Sequence, residues 1–149
     1  MRKYKLLIIV FTAVLLTGCT TNKLEKFLTK ENYKCENDVC YVKEDFENIH
    51  TLEKTYDINK TIYTEKETFN IGTSQGYDLE YNWSTFVIKG KYYLPAASFE
   101  VFLNVNDDNS FECNSDDQDE LYVKAECIGL KEQLKDLASR IDEIIKNNK

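Results

Sequence analysis

The chain is poor in the residues that do chemistry near neutral pH. In 149 residues it has one histidine, His50, one proline, Pro95, and one tryptophan, Trp83. Histidine is the side chain whose ordinary titration falls between about pH 5 and 8, so a single copy leaves little scope for general acid–base work. His50 stands among Asn48, Ile49 and Thr51 with no nucleophile or second base at recognisable spacing. Neither a Ser-His-Asp nor a Cys-His arrangement has a local signature, and no catalytic residue is assigned. Positive charge is also short, at 19 Lys and Arg against 26 Asp and Glu, for a net of −7. That excludes nucleic acid, which demands a positive surface. Long apolar runs are missing too. Leu6 to Leu16, broken only by Thr12, is 11 residues, whereas a helix that spans a bilayer needs about 20.

No metal or cofactor is expected either. Asn104, Asn106, Asp107 and Asp108 imitate the start of a calcium loop, with Phe111 in the hydrophobic position, but Asn109 replaces the central glycine and Ser115 the closing glutamate. The segment reads instead as a hairpin tip followed by helix-cap acids.

Aromatic residues and period-two patterns are abundant. Ten Tyr and eight Phe can supply a core. Apolar residues alternate at Leu79, Tyr81 and Trp83; at Phe86, Ile88, Gly90 and Tyr92; and at Phe99, Val101, Leu103 and Val105. Period two predicts strands with one buried face. Asn37, Asn59, Asn82 and Asn106 recur at intervals of 22, 23 and 24 residues. Asn tolerates the left-handed backbone of tight turns, so these are read as four hairpin tips in a meander of about eight antiparallel strands. Gly72-Thr73-Ser74-Gln75-Gly76 reads as a polar linker between hairpins, and Pro95 ends the strand before it.

Towards the C-terminus the period changes. Val123, Cys127, Leu130, Leu134, Leu137, Ile141 and Ile144 form one helical stripe. Ser115 with Gln118 resembles a capping box, and Gly129 is a potential break. A ninth strand over Leu121–Cys127 competes with the start of this helix, because Leu121, Val123, Ala125 and Cys127 also alternate. The expected architecture is α+β: an antiparallel meander sheet of about eight strands with a C-terminal helix packed on one face.

The first residues carry a targeting pattern. The basic opening Met1-Arg2-Lys3-Tyr4-Lys5 precedes the apolar run, which closes on Leu16-Thr17-Gly18-Cys19. This resembles the signal peptide and lipobox of bacterial lipoproteins, in which an aliphatic residue, two small residues and the cysteine occupy the four positions. The resemblance covers residues 1–19 only and carries no information on the fold. It implies cleavage before Cys19, a diacylglyceryl thioether on that cysteine, and residence at the cell membrane on the extracytoplasmic side. Two acyl chains, at about 0.8 kcal/mol per buried CH₂, anchor stably.

Four cysteines remain: Cys35, Cys40, Cys113 and Cys127. An even number outside the cytoplasm suggests two disulfides, with three connectivities open. Cys35 and Cys40 flank the turn-like Glu36-Asn37-Asp38-Val39 and would face each other across a hairpin, leaving Cys113 for Cys127. Free thiols are the competing reading, and a four-thiolate metal site fits poorly because the spacings lack a zinc hook on both sides.

The expected organisation is therefore a signal peptide over 1–18, a lipidated stem over 19–34 and a single extracytoplasmic domain over 35–149. Cleavage removes Arg2, Lys3 and Lys5 but no acid, which takes the net charge from −7 to −10. The stem from Thr20 to Lys34 carries +2 and the remainder −12. A basic stem is drawn to anionic headgroups and an acidic head repelled, so the head is expected to stand off the membrane. The stem reaches at most about 50 Å when extended, and less if Leu24, Phe27 and Leu28 form a helical turn.

The leading functional expectation is a non-enzymatic binding module for a basic protein or peptide near the membrane. Trp83 is a possible partner contact if its hairpin register exposes it, or a core residue if the register shifts by one. An enzyme or enzyme accessory acting on envelope polymers, and an inhibitor or immunity-like protein, are the alternatives.

Overall fold

Period-two patterning produces one sheet. The computed structural model describes residues 22–71, 73–95, 97–115 and 120–149. The signal region and Cys19 lie outside them. Helix α1 (Lys23–Lys30) is followed by strands β1 (Lys34–Glu36), β2 (Val39–Phe46), β3 (His50–Asp57), β4 (Ile62–Ile71), β5 (Thr73–Asn82), β6 (Val87–Tyr93), β7 (Ser98–Asn104) and β8 (Glu112–Ser115). A 3₁₀ turn over Asp108–Ser110 precedes β8, and helix α2 (Glu120–Asn147) ends the chain. The eight strands hydrogen-bond in chain order and every neighbouring pair is antiparallel, which is the expected meander. The two edge strands are short, which limits the open backbone available for stray pairing.

Register explains which face is buried. Cys35, Cys40, Tyr56, Tyr63, Tyr81, Ile88 and Leu103 lie side by side across seven strands. Six of these are buried, from Cys40 to Leu103, and the row faces the helices. Leu79, Gly90, Val101 and Cys113 form the next row. Gly90 makes room there for Leu79, whose Cδ2 would stand 2.2 Å from a Cβ and would have to turn aside if one were added. α2 lays Cys127, Leu130, Leu134, Leu137, Ala138 and Ile141 into this core. The buried Tyr81 hydroxyl donates to Asp142 Oδ1 at 2.6 Å, which fixes the helix over the sheet.

Three local readings differ from what the sequence suggested. The stretch read as a stem is largely folded: α1 buries Leu24 and Leu28 in the core, so the folded unit takes in residues from Asn22, ahead of Cys35. α1 stops in a Schellman motif, with Asn32 at φ 71° and the Tyr33 and Asn32 N–H groups donating to Leu28 O and Thr29 O at 2.9 and 3.1 Å. Second, Thr73–Gly76 belong to β5 rather than to a linker, because β4 and β5 pair out to Ile71 opposite Thr73. Gly76 (φ 147°) is there for close approach, since a Cβ would sit 1.9 Å from Glu67 O. Third, the helix runs unbroken through Gly129 and includes Leu121–Cys127, excluding a ninth strand. Ser115 ends β8 and its hydroxyl donates to Ser98 O at 3.2 Å. Its supposed capping partner Gln118 lies outside the described residues.

All four asparagine tips fall at one end of the sheet, in the connections β1–β2, β3–β4, β5–β6 and β7–β8. The interval of 22 to 24 residues is thus two strands and two turns. Neighbouring tips are joined through the backbone. Ile58, Trp83 and Val105 each follow an odd-numbered strand, and their N–H groups donate to Asp38 O, Thr61 O and Phe86 O at 2.9, 3.0 and 2.9 Å. The three acceptors all have positive φ, at 63°, 56° and 61°. Asn82 Oδ1 holds the β5–β6 tip by accepting from the Ser84 and Thr85 N–H groups at 2.9 and 3.2 Å.

Candidate interaction face

The face of the sheet away from the helices is concave and uncovered by any described element. It forms a groove of about 850 Å³ that runs from Tyr41 on β2 to Asn114 on β8. Alternation puts its lining there: in β6, Ile88, Gly90 and Tyr92 point to the helices, so Lys89 and Lys91 point into the groove. Register then sets Lys43, Glu53, Lys66, Asp78, Lys91, Glu100 and Asn114 in one row across the sheet. Charge alternates in sign from β2 to β7, and the uncharged Asn114 ends the row on β8. Opposite charges directly across a strand pair stabilise a sheet by about 0.2–1 kcal/mol each. The neighbouring row is Tyr41, Thr55, Thr64, Glu80, Lys89, Phe102 and Glu112. On its floor the groove presents the carboxylates of Glu53, Asp78, Glu80 and Glu100 and the ammonium groups of Lys66, Lys89 and Lys91, with Tyr41 and Phe102 as aromatic surfaces.

The helix side carries a second polar group beyond the core. Glu65 accepts from Tyr63 Oη at 2.9 Å and Tyr77 Oη at 3.0 Å. Burial, with the Glu65 carboxylate next in importance, pushes both phenols well above their ordinary range. His50 is stacked between Phe46 and Phe69, with ring centroids 4.9 and 4.4 Å away, and its Nε2 lies 2.5 Å from Glu67 Oε1.

Trp83 takes the same place in its tip as Ile58 does in the one before. It is half-buried against the core, 6.3 Å from Tyr56 between ring centroids, and so extends the Leu79 and Tyr81 face to the end of the sheet. Of the three cystine connectivities, the structure has Cys35 with Cys40, register partners in the first hairpin with Cα atoms 4.0 Å apart, and Cys113 with Cys127, at 6.3 Å. The second bond ties β8 to α2. The residues that imitate a calcium loop are committed elsewhere. Asn104 Oδ1 accepts from Asn106 N and Asp107 Oδ1 from Asn109 N, while Asp108 pairs with Lys135 and its carbonyl accepts from Lys131 Nζ. Among the described residues, no three of His, Cys, Asp and Glu come together as a metal site.

The charged row and the Glu65–tyrosine group were not anticipated. Each strand's charges were readable, but which charges stand side by side depends on register, and register depends on the turns. Compared with known proteins, the chain matches no family model, no curated sequence and no solved structure.

Proposed function

We propose that this chain is a lipoprotein anchored through Cys19 on the extracytoplasmic side of the cell membrane, and that its folded unit is a non-enzymatic binding module. The partner is a basic protein or peptide segment held in the concave face. The observation that carries this reading is the groove itself, a continuous hollow across the sheet whose floor is charged and hydroxylic. Four carboxylates against three ammonium groups, within a chain of net negative charge, favour a cationic partner over an anionic one. The interspersed lysines fix register and reject uniformly basic chains that lack matching acids. The two disulfides suit an oxidising compartment, in keeping with the lipobox.

The test is recovery of partners from envelope extracts on the mature protein at low and high ionic strength, with an Asp78→Lys, Glu100→Lys variant in parallel. Charge-steered association falls with salt and with reversal of the groove's carboxylates. A partner retained equally in all arms would remove the electrostatic basis. Turnover of an envelope polymer by the protein, surviving mutation of His50, would replace the binding reading with carboxylate catalysis.

A further inference from the structure

We infer that the sheet end bearing the Ile58–Thr61 and Trp83–Phe86 tips rests on the bilayer surface, so that the module is seated on the membrane rather than held off it; this rests on the reading of Cys19 as the lipidated residue. Only Thr20 and Thr21 separate Cys19 from Asn22. However these residues are arranged, three peptide units span at most about 11 Å. Asn22 is part of the fold: its Nδ2 donates to Glu25 Oε2 at 2.9 Å and to Asp38 Oδ1, in the first hairpin tip, at 3.1 Å. Asn22, Lys23, Ile58, Trp83, Ile145 and Lys149 line one small cavity of about 180 Å³. The chain therefore meets the fold at the tip end, and an acyl chain on Cys19 brings that end to the headgroups.

The chemistry of this end suits such a surface. Lys23, Lys60 and Lys149 are exposed around it, with Lys60 at 75% side-chain exposure. Among the carboxylates nearby, Asp57 Oδ2 lies 4.0 Å from Lys60 Nζ, while Asp38 and Asp107 accept from the neutral Asn22 amide and Asn109 N–H and keep their charge. Asp108 is paired with Lys135. Anionic headgroups meet the exposed ammonium groups of Lys23 and Lys149 here, with Lys60 beside Asp57, despite the negative charge of the whole chain.

Phe86 adds an independent sign. A bulky residue at φ 61° is strained, yet this one is left 36% exposed at the same end. The positive φ recurs at the equivalent Asp38 and Thr61, so the bearing on the membrane is the exposed ring itself, since aromatic rings are favoured at headgroup depth. The opposite end of the sheet lies up to about 30 Å further along strands that rise about 3.3 Å per residue. It carries Phe46 and Ile49, each 46% exposed, facing away from the membrane.

Trp83, the one tryptophan, lies at the inferred contact and reports on it directly. The full lipidated protein is reconstituted in phosphatidylcholine vesicles with and without phosphatidylglycerol, and flotation first establishes that it is anchored. Lipids spin-labelled at the headgroup should then quench Trp83 emission, most strongly in the anionic vesicles. An insert of about 20 Gly and Ser residues between Thr21 and Asn22, with a reach of about 25 Å, should abolish or largely reduce the quenching while flotation persists. Anchored protein without quenching overturns the seating and leaves the lipoprotein reading intact. Quenching that survives the insert unchanged overturns the short leash as its cause. Protein that does not float refutes the lipoprotein reading, and the seating falls with it.

Discussion

Six tyrosines on the helix side make the fold sensitive to alkali in a way that can be worked out. An unfolded tyrosine ionises near 10.0, whereas burial, the largest cause in every case, raises Tyr33 to about 12. Tyr56, Tyr63, Tyr77, Tyr81 and Tyr92 are pushed higher still by burial, with Tyr33 beside Tyr56, Glu65 beside Tyr63, Tyr77 and Tyr92, and the Asp142 hydrogen bond on Tyr81 adding to it. The folded state thus favours the neutral phenol. Stability from this source is fully present below pH 10 and is lost as pH rises towards the folded values. Each tyrosine that ionises only on unfolding withdraws about 1.4 kcal/mol per pH unit. At pH 11 the more deeply buried of them, Tyr56, Tyr63 and Tyr92, withdraw roughly 4 kcal/mol, a large part of the stability of a domain at about 5–15 kcal/mol. Tyr92→Phe keeps the ring stacked on Phe99, with centroids 5.2 Å apart, and deletes one proton. Relative to the parent it should retain about 1.4 kcal/mol at pH 11. Urea unfolding followed by circular dichroism at pH 8, 10 and 11, with tyrosinate absorbance read in parallel, measures both effects. If these tyrosines titrate near pH 10 with the dichroism unchanged, or if parent and variant show the same pH slope, the reasoning is wrong.

Three further outcomes follow from the same geometry. Gly129→Ala should stabilise the protein by about 0.5–1 kcal/mol, because the glycine is inside α2 and a Cβ there meets nothing within 4 Å; thermal unfolding with no gain would mean the helix is interrupted in solution. Gly76→Ala should destabilise by about 2–4 kcal/mol, since the added Cβ would sit 1.9 Å from Glu67 O at a φ of 147°; an unchanged urea midpoint would reject the β4–β5 register. Cys19→Ala should stop incorporation of labelled fatty acid and leave a precursor or release the protein, and equal labelling of variant and parent would sink the lipid anchor.

The tips were legible from their spacing, but of the four asparagines only Asn37 (φ 52°) is left-handed; in the β3–β4 and β5–β6 tips Thr61 and Phe86 take that backbone, and Asn82 acts through its side chain on the Ser84 and Thr85 N–H groups. The α2 stripe was legible because Leu130, Leu134, Leu137 and Ile141 must share a face whatever they pack against. Gly76 misled for a tertiary reason. A glycine in a polar stretch reads as a loop, but its role is the approach of Glu67 O on the neighbouring strand. The turn at Glu47 and Asn48 was missed because Glu47, at φ 52°, is a poor signal for left-handed backbone. α1 was half-seen in the spacing of Leu24 and Leu28, and its burial depended on a sheet surface the local sequence does not reveal. The groove was hidden longest, since its charged row exists only once seven strands are in register.

Site-specific photo-crosslinking in intact cells interrogates the concave face most directly. A photoreactive residue at Thr64, on the groove floor, is compared with one at Glu132, exposed on α2 on the other side of the sheet. A partner held in the groove gives a discrete adduct from position 64 that is absent from 132 and is lost with Asp78→Lys and Glu100→Lys. No adduct from 64, or the same adducts from both positions, would contradict binding at this face.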